Sequence, residues 1–229
     1  MSEKNLCHLC QRRPLRRYCP ALERDICAVC CGTEREQSIG CPLDCEHLRD
    51  ARNHERLPAL DPKTLPNPEI ELTDRFMDEH QDLAVILGRL LFVAAVQTEG
   101  AVDSDMREAL AALVTTFKTA SSGLIYEARP DNTIAAAVAA RFREELDKFR
   151  ADVEKRSPAH ALLDRDLLGV LVFWQRLEYQ RSNGRRKGRA FMESLYAVLP
   201  PPPEDKTGDT EAIVTGDRSS GGSHARKAR

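Results

Sequence analysis

The sequence predicts a mainly α protein. A small N-terminal two-zinc cross-brace module leads into an up-and-down bundle of about five helices, and a disordered C-terminal tail follows. Three observations predict this. All eight cysteines of the 229-residue chain fall between Cys7 and Cys45. Apolar residues recur at helical spacing from about residue 71 to residue 199. From Pro200 the chain turns to proline, then to glycine, serine, threonine and charge, with too few apolar groups to offset the entropy of ordering. The chain thus divides into a cysteine-rich module (1–50), a connector (51–70), a helical bundle (71–199) and a tail (200–229).

The cysteines read Cys7-x2-Cys10, Cys19, Cys27-x2-Cys30-Cys31 and Cys41-x3-Cys45, with His47 just beyond. Four thiolates close a tetrahedral structural zinc site, so eight fit two sites. A two-residue spacer lets both sulfurs of a knuckle reach one ion. Cys7, Cys10, Cys27 and Cys30 therefore make the first site, leaving Cys19, Cys31, Cys41 and Cys45 for the second. The sites interleave along the chain, and short strands fit around Tyr18–Cys19 and Asp25–Cys27. A segment of this size buries little core, so metal supplies its folding energy. Competing chemistry fits less well. A redox Cys-x2-Cys pair belongs at a helix start in a βαβ setting, which is missing here. The Cys30-Cys31 pair as a thiol sensor and an iron–sulfur cluster on one set are weaker readings. A cysteine-saturated site lacks the open position of catalytic zinc.

The order Cys-x2-Cys, Cys19-Pro20, Cys-x2-Cys and a distal pair resembles HIT-type and MYND-type cross-brace zinc fingers over residues 7–47. Cys7, Cys10, Cys27 and Cys30 match the first site of that pattern. Leu22 stands where the HIT pattern has a cysteine, Cys31 is extra, and Cys41, Cys45 and His47 replace the usual terminal pair. Whether His47 displaces Cys45 or Cys31 stays open. The resemblance implies protein–protein contact as the role. The run Ile26–Gly32 with Cys41–Cys45 is also similar to bacterial proteins with a cysteine-rich N-terminus and a helical remainder, a likeness that implies no particular activity.

Pro58, Pro62, Pro66 and Pro68 keep the connector extended. A first bundle helix is expected over 74–99, with Thr73 as N-cap, Phe76, Leu83, Leu87 and Leu91 inward, and Gly100 as the stop. A second runs 103–127, its stripe of Leu110, Leu113, Val114 and Phe117 continued to Leu124. After a turn at Arg129–Asn132, a third presents Ile134, Val138, Phe142, Leu146, Phe149 and Val153 until Ser157-Pro158. A fourth, 164–181, is apolar nearly all round from Leu167 to Trp174 and belongs at the bundle centre. Asn183-Gly184 ends it. A fifth, 189–199, packs through Phe191 and Leu195.

A net charge of −2 excludes bulk attraction to polyanions, and 5% aromatics excludes a broad base-stacking surface. The polar first 20 residues carry no leader-like apolar run, and no stretch suits a membrane span, so a cytoplasmic protein is expected. Of 34 Lys and Arg, 26 are Arg, which fits a GC-rich bacterial source. Two basic segments are candidate partner contacts: Arg12, Arg13, Arg16 and Arg17, and then Arg181, Arg185, Arg186, Lys187 and Arg189. His80 with Asp78 and Asp82 reads as a solvated acidic face. No phosphate-binding loop, nucleophile elbow or paired-carboxylate motif appears. The expectation is a non-enzymatic zinc-binding adaptor for a protein partner. The alternative is a DNA- or RNA-associated factor that uses the arginine-rich loops.

Overall fold

Two strands and eight helices make up the described part of the chain in the computed structural model, which covers residues 6–56, 59, 61–157 and 161–199. Pro58, Pro158 and the tail from Pro200 lie outside these residues. In the module, β1 (Arg17–Cys19) pairs antiparallel with β2 (Arg24–Ile26), setting Arg17 opposite Ile26 and Cys19 opposite Arg24. The hairpin lies where the sequence suggests strands. Two short helices there are additional to the sequence reading: α1 (Ala28–Glu34) and α2 (Glu46–Arg52). The module has a small core of its own, in which Ile26, Ile39 and Leu48 pack among the cysteines.

The first expected bundle helix is broken in two. Thr73 caps α3 (Asp74–Glu79) as expected, its hydroxyl accepting the Phe76 amide at 3.1 Å. The chain then leaves helical geometry at His80 before α4 (Gln81–Val96). The His80 ring stacks on Phe76 at 4.2 Å, and its Nδ1 lies 2.9 Å from the Phe76 carbonyl. His80 is therefore half-buried, with Nε2 3.7 Å from Asp166, while Asp78 and Asp82 stay exposed. The break lets Phe76 reach Gly169, where an added Cβ would lie 2.4 Å from the ring.

The second helix also ends early. α5 spans Asp103–Ser121. Gly123 takes a positive φ of 79°, and the Leu124 amide turns back to the Thr119 carbonyl at 3.0 Å. This helix stop needs a left-handed residue, which glycine adopts without steric cost. Leu124 thus leaves the buried stripe and is 63% exposed. Beyond the turn, the Asn132 carboxamide accepts the Ile134 amide at 2.9 Å and starts α6 (Thr133–Arg156).

Helices α7 (Asp164–Arg181) and α8 (Ala190–Val198) lie where the periodicity puts them. α7 is the central element, burying Leu167, Leu168, Val170, Leu171, Val172 and Trp174. It packs against α5 most extensively, and α4 packs against α6, α8 and α7. Trp174 donates from its indole to the Ala84 carbonyl at 3.0 Å, which satisfies its one buried donor. The ring sits over Gly88, where a Cβ would fall 2.3 Å from it. The connector is held down as well. The Arg176 guanidinium donates to the carbonyls of Pro66, Asn67 and Ile70 at 2.7–3.2 Å.

Gly88→Ala is expected to lower stability by about 1–3 kcal/mol, because Trp174 must shift to admit the methyl. A reduced urea midpoint would register this. A midpoint equal to the parent's would show that the Trp174 side moves freely.

Candidate metal centre and its anchor to the bundle

The knuckle Cys7–Cys10 and the start of α1 converge. The ligand atoms of Cys7, Cys10, Cys27 and Cys30 all lie within 4.8 Å of one another, and Cys10 Sγ is 4.0 Å from Cys27 Sγ. Tetrahedral Zn–S bonds of ~2.3 Å place sulfurs roughly 3.8 Å apart, so the donor set fits such an ion. Backbone amides point at the sulfurs. Cys27 N–H donates to Cys7 Sγ at 3.1 Å, and Cys30 N–H to Cys27 Sγ at 3.3 Å. Cys27 thus caps α1 with its thiol.

These amides separate the thiols by acidity. Burial raises the Cys7 pKa, but amide donors from Cys10, Cys27 and Leu9 outweigh it and bring Cys7 down to about 6. The Arg12 amide is the main cause lowering Cys10. Hydrogen bonding with Cys27, then burial, pushes Cys30 up to about 12. Cys7 and Cys10 lose their protons most readily and Cys30 holds its proton longest, and a bound dication would displace it. All eight cysteines are free thiols, so no disulfide competes for the sulfurs.

Among the described residues, this is the one group of three or more candidate ligands gathered so closely. Cys19, Cys31, Cys41 and Cys45 share the module's small core, but no three of them gather their sulfurs within that mutual distance. The Cys31 sulfur lies 3.7 Å from the Arg17 guanidinium. Burial raises the Cys41 thiol, offset by the amide of Glu36 and reinforced by the charges of Cys45, Glu36 and Cys19. His47 points Nε2 toward Glu46 at 3.6 Å and shares a cavity wall with Tyr18, Pro20 and Cys45.

The basic segments divide. Arg12, Arg13, Arg16, Arg181 and Arg186 are exposed, and none of them has an ion-pair partner among the described residues. Arg17 turns toward Cys31 instead. Arg185 donates to the Gly32 and Arg35 carbonyls at the end of α1, and Lys187 Nζ donates to the Ser38 carbonyl at 2.7 Å. The Arg189 amide donates to Glu36 Oε1 at 2.7 Å. Three of the five candidate contacts in 181–189 thus join the bundle to the cysteine module.

Glu36, a residue the sequence reading leaves without a role, is the centre of this joint. Its side chain is completely buried, and its φ is 54°. Oε1 accepts from Arg52 Nη2 at 2.6 Å and from the Arg189 amide, while Oε2 accepts from Asn183 Nδ2 at 2.8 Å. Its carbonyl accepts the Lys187 amide at 2.7 Å. Arg52 also reaches Glu193 on α8 at 3.1 Å. On the other side of this turn, the Asp103 carboxylate accepts the Phe191 and Met192 amides at 2.9 and 3.2 Å and caps α8 from outside its own helix. Glu178, also buried, takes a two-pronged hydrogen bond from Arg107. No spacing rule marks these acids. Glu36, just past the C-cap of α1, and Asp103, at the start of α5, carry the only hint; Glu178, inside α7, carries none.

Comparison of the chain with protein-family models, with curated proteins and with solved structures finds no match. Among the described residues, no helix is long and apolar enough to cross a membrane.

Asp103 makes the α5–α8 contact sensitive to pH. Burial pushes its carboxyl from 3.8 to about 7, against the pull of the Phe191 and Met192 amides and with the added charge of Glu178 and Glu36. The folded protein therefore holds a proton that the unfolded chain releases near pH 4. This contribution to stability is complete below about pH 4 and is lost as pH rises through 7. Asp103→Asn cannot ionise and is expected to flatten the fall in urea midpoint between pH 5 and 8. Burial shifts Glu178 and Glu193 in the same direction, so some slope should persist. A profile identical to the parent's would remove Asp103 from this account.

Proposed function

We propose that this protein is a non-enzymatic, cytoplasmic zinc-binding adaptor, whose metal holds a rigid recognition surface for a protein partner. The observation that carries this reading is the four-thiol group of Cys7, Cys10, Cys27 and Cys30, with its sulfurs within 4.8 Å of one another. Such a set leaves no open coordination position, so the metal's role is structural. Two zinc ions per chain are proposed, the second drawing Cys19, Cys31, Cys41 and Cys45 together. His47 is the alternative fourth ligand. The metal fixes loops that would otherwise have to be ordered on binding, which lowers the entropic cost of association.

Two further observations favour a protein partner. Leu124, Ile125 and Tyr126 are all strongly exposed beside a cavity of about 440 Å³ at the α5–α6 turn. Contiguous exposed apolar groups are characteristic of protein contact sites. The side chains of Arg185 and Lys187, which a nucleic-acid reading needs, bond within the chain. The alternative of nucleic-acid association rests on Arg12, Arg13 and Arg16 in the first knuckle loop and on Arg181 and Arg186.

Protein purified without added metal is expected to carry two equivalents of zinc by elemental analysis, and Cys30→Ser is expected to lose one. One equivalent in the parent would remove the second site. Iron, or no metal, would overturn the zinc reading. Tight binding of a labelled single-stranded RNA or duplex DNA that falls steeply with salt would move the nucleic-acid reading to the front.

A further inference from the structure

We infer that metal at Cys7, Cys10, Cys27 and Cys30 controls the docking of the cysteine module onto the helical bundle, with α1 as the transmitting element and Glu36 as the latch. The inference rests on reading that cluster as a metal centre.

Helix α1 connects the two sites by the shortest covalent path. Cys27 and Cys30 occupy its start, and Glu36 follows its C-cap, Arg35. Seven helical residues span roughly 10 Å. None of the seven is buried, and a helix this short is unstable alone in water. Only the partly buried Cys30 and Cys31 pack against the module's small core, so the position of α1 depends chiefly on its ends. One end is fixed by the four sulfurs. The other is fixed by Arg185, which donates to the Gly32 and Arg35 carbonyls, and by the bonds to Glu36. A fully buried carboxylate is tolerated only while its donors stay aligned. If the first end loosens, the backbone at Glu36 turns out of its positive φ, and the carboxylate loses Arg52, Asn183 and the Arg189 amide together. The transition is then all-or-none at the joint. The bundle core does not share these residues and stays folded. Opening frees Arg185 and Lys187, so metal loss would convert an internal clamp into an exposed basic loop.

Hydrogen exchange on the full chain tests this, with zinc content measured in parallel. Removing zinc with excess EDTA is expected to speed exchange at the Lys187 and Arg189 amides by about tenfold or more, while α5 and α7 amides keep their protection. Zinc loss with unchanged protection at Lys187 and Arg189 would overturn the inference and leave the metal centre standing. Collapse of protection in α5 and α7 as well would also overturn it, because the whole chain would then depend on the metal. A chain that takes up no zinc would overturn the metal-centre reading and the inference with it. Glu36→Gln should keep its zinc and show the same local loss with metal bound. Arg185→Ala, which leaves the buried carboxylate intact, provides the milder variant and should shift exchange in the same direction. Zinc-loaded variants with parental exchange at both amides would refute the latch.

Discussion

The buried Glu36 carboxylate sets the geometry of this molecule. It is fully buried at the seam between module and bundle, and each of its oxygens is occupied by donors from other elements. Arg52 comes from α2, Asn183 from the loop after α7, and the Arg189 amide from the start of α8. A buried charge of this kind adds little net stability, since desolvation offsets the attraction. Its effect is on specificity. Displacing any donor leaves an uncompensated charge, so the arrangement tolerates one relative position of its parts.

The surrounding architecture follows from that constraint. The turn 183–192 is held from both sides, by Glu36 in the module and by Asp103 on α5. Gly188 sits between them, and a Cβ there would come within 2.5 Å of Asn183 Oδ1. Arg176 fastens the connector to α7 through three carbonyls. The cysteine module is therefore fixed to the bundle by charge-assisted and backbone bonds. An apolar interface contributes less: Leu43 of the module packs against the bundle's core, but the two cores are otherwise separate clusters. Polar joints of this kind open at lower cost than apolar cores, which makes this seam the natural place for control.

The same arrangement bears on the proposed adaptor role. A finger on a free tether would have to be ordered on binding. Here the knuckle loop with Arg12, Arg13 and Arg16 faces solvent from a body already fixed relative to the α5–α6 turn with its exposed Ile125. In the proposed adaptor role, two such surfaces at a fixed separation would select partners by geometry as well as by chemistry.

Much of this was legible in the sequence, because it depends on local spacing. The Cys-x2-Cys pairs identified the four thiols that converge, since a two-residue spacer constrains sulfur positions within one turn of chain. Period 3.6 placed α6, α7 and α8 within a residue or so, and Thr73 announced its cap. What local spacing could not convey was decided by tertiary contacts. The stop at Gly123 came from a left-handed backbone, where the apolar stripe through Leu124 suggested continuation. The break at His80 came from a ring stacking on Phe76 as that side chain reached Gly169. The role of Arg185 and Lys187 changed most. A run of cations looks solvated in sequence because its partners lie some 150 residues away. Only the folded chain brings the α1 carbonyls and Glu36 to meet it, turning a candidate surface into an internal joint.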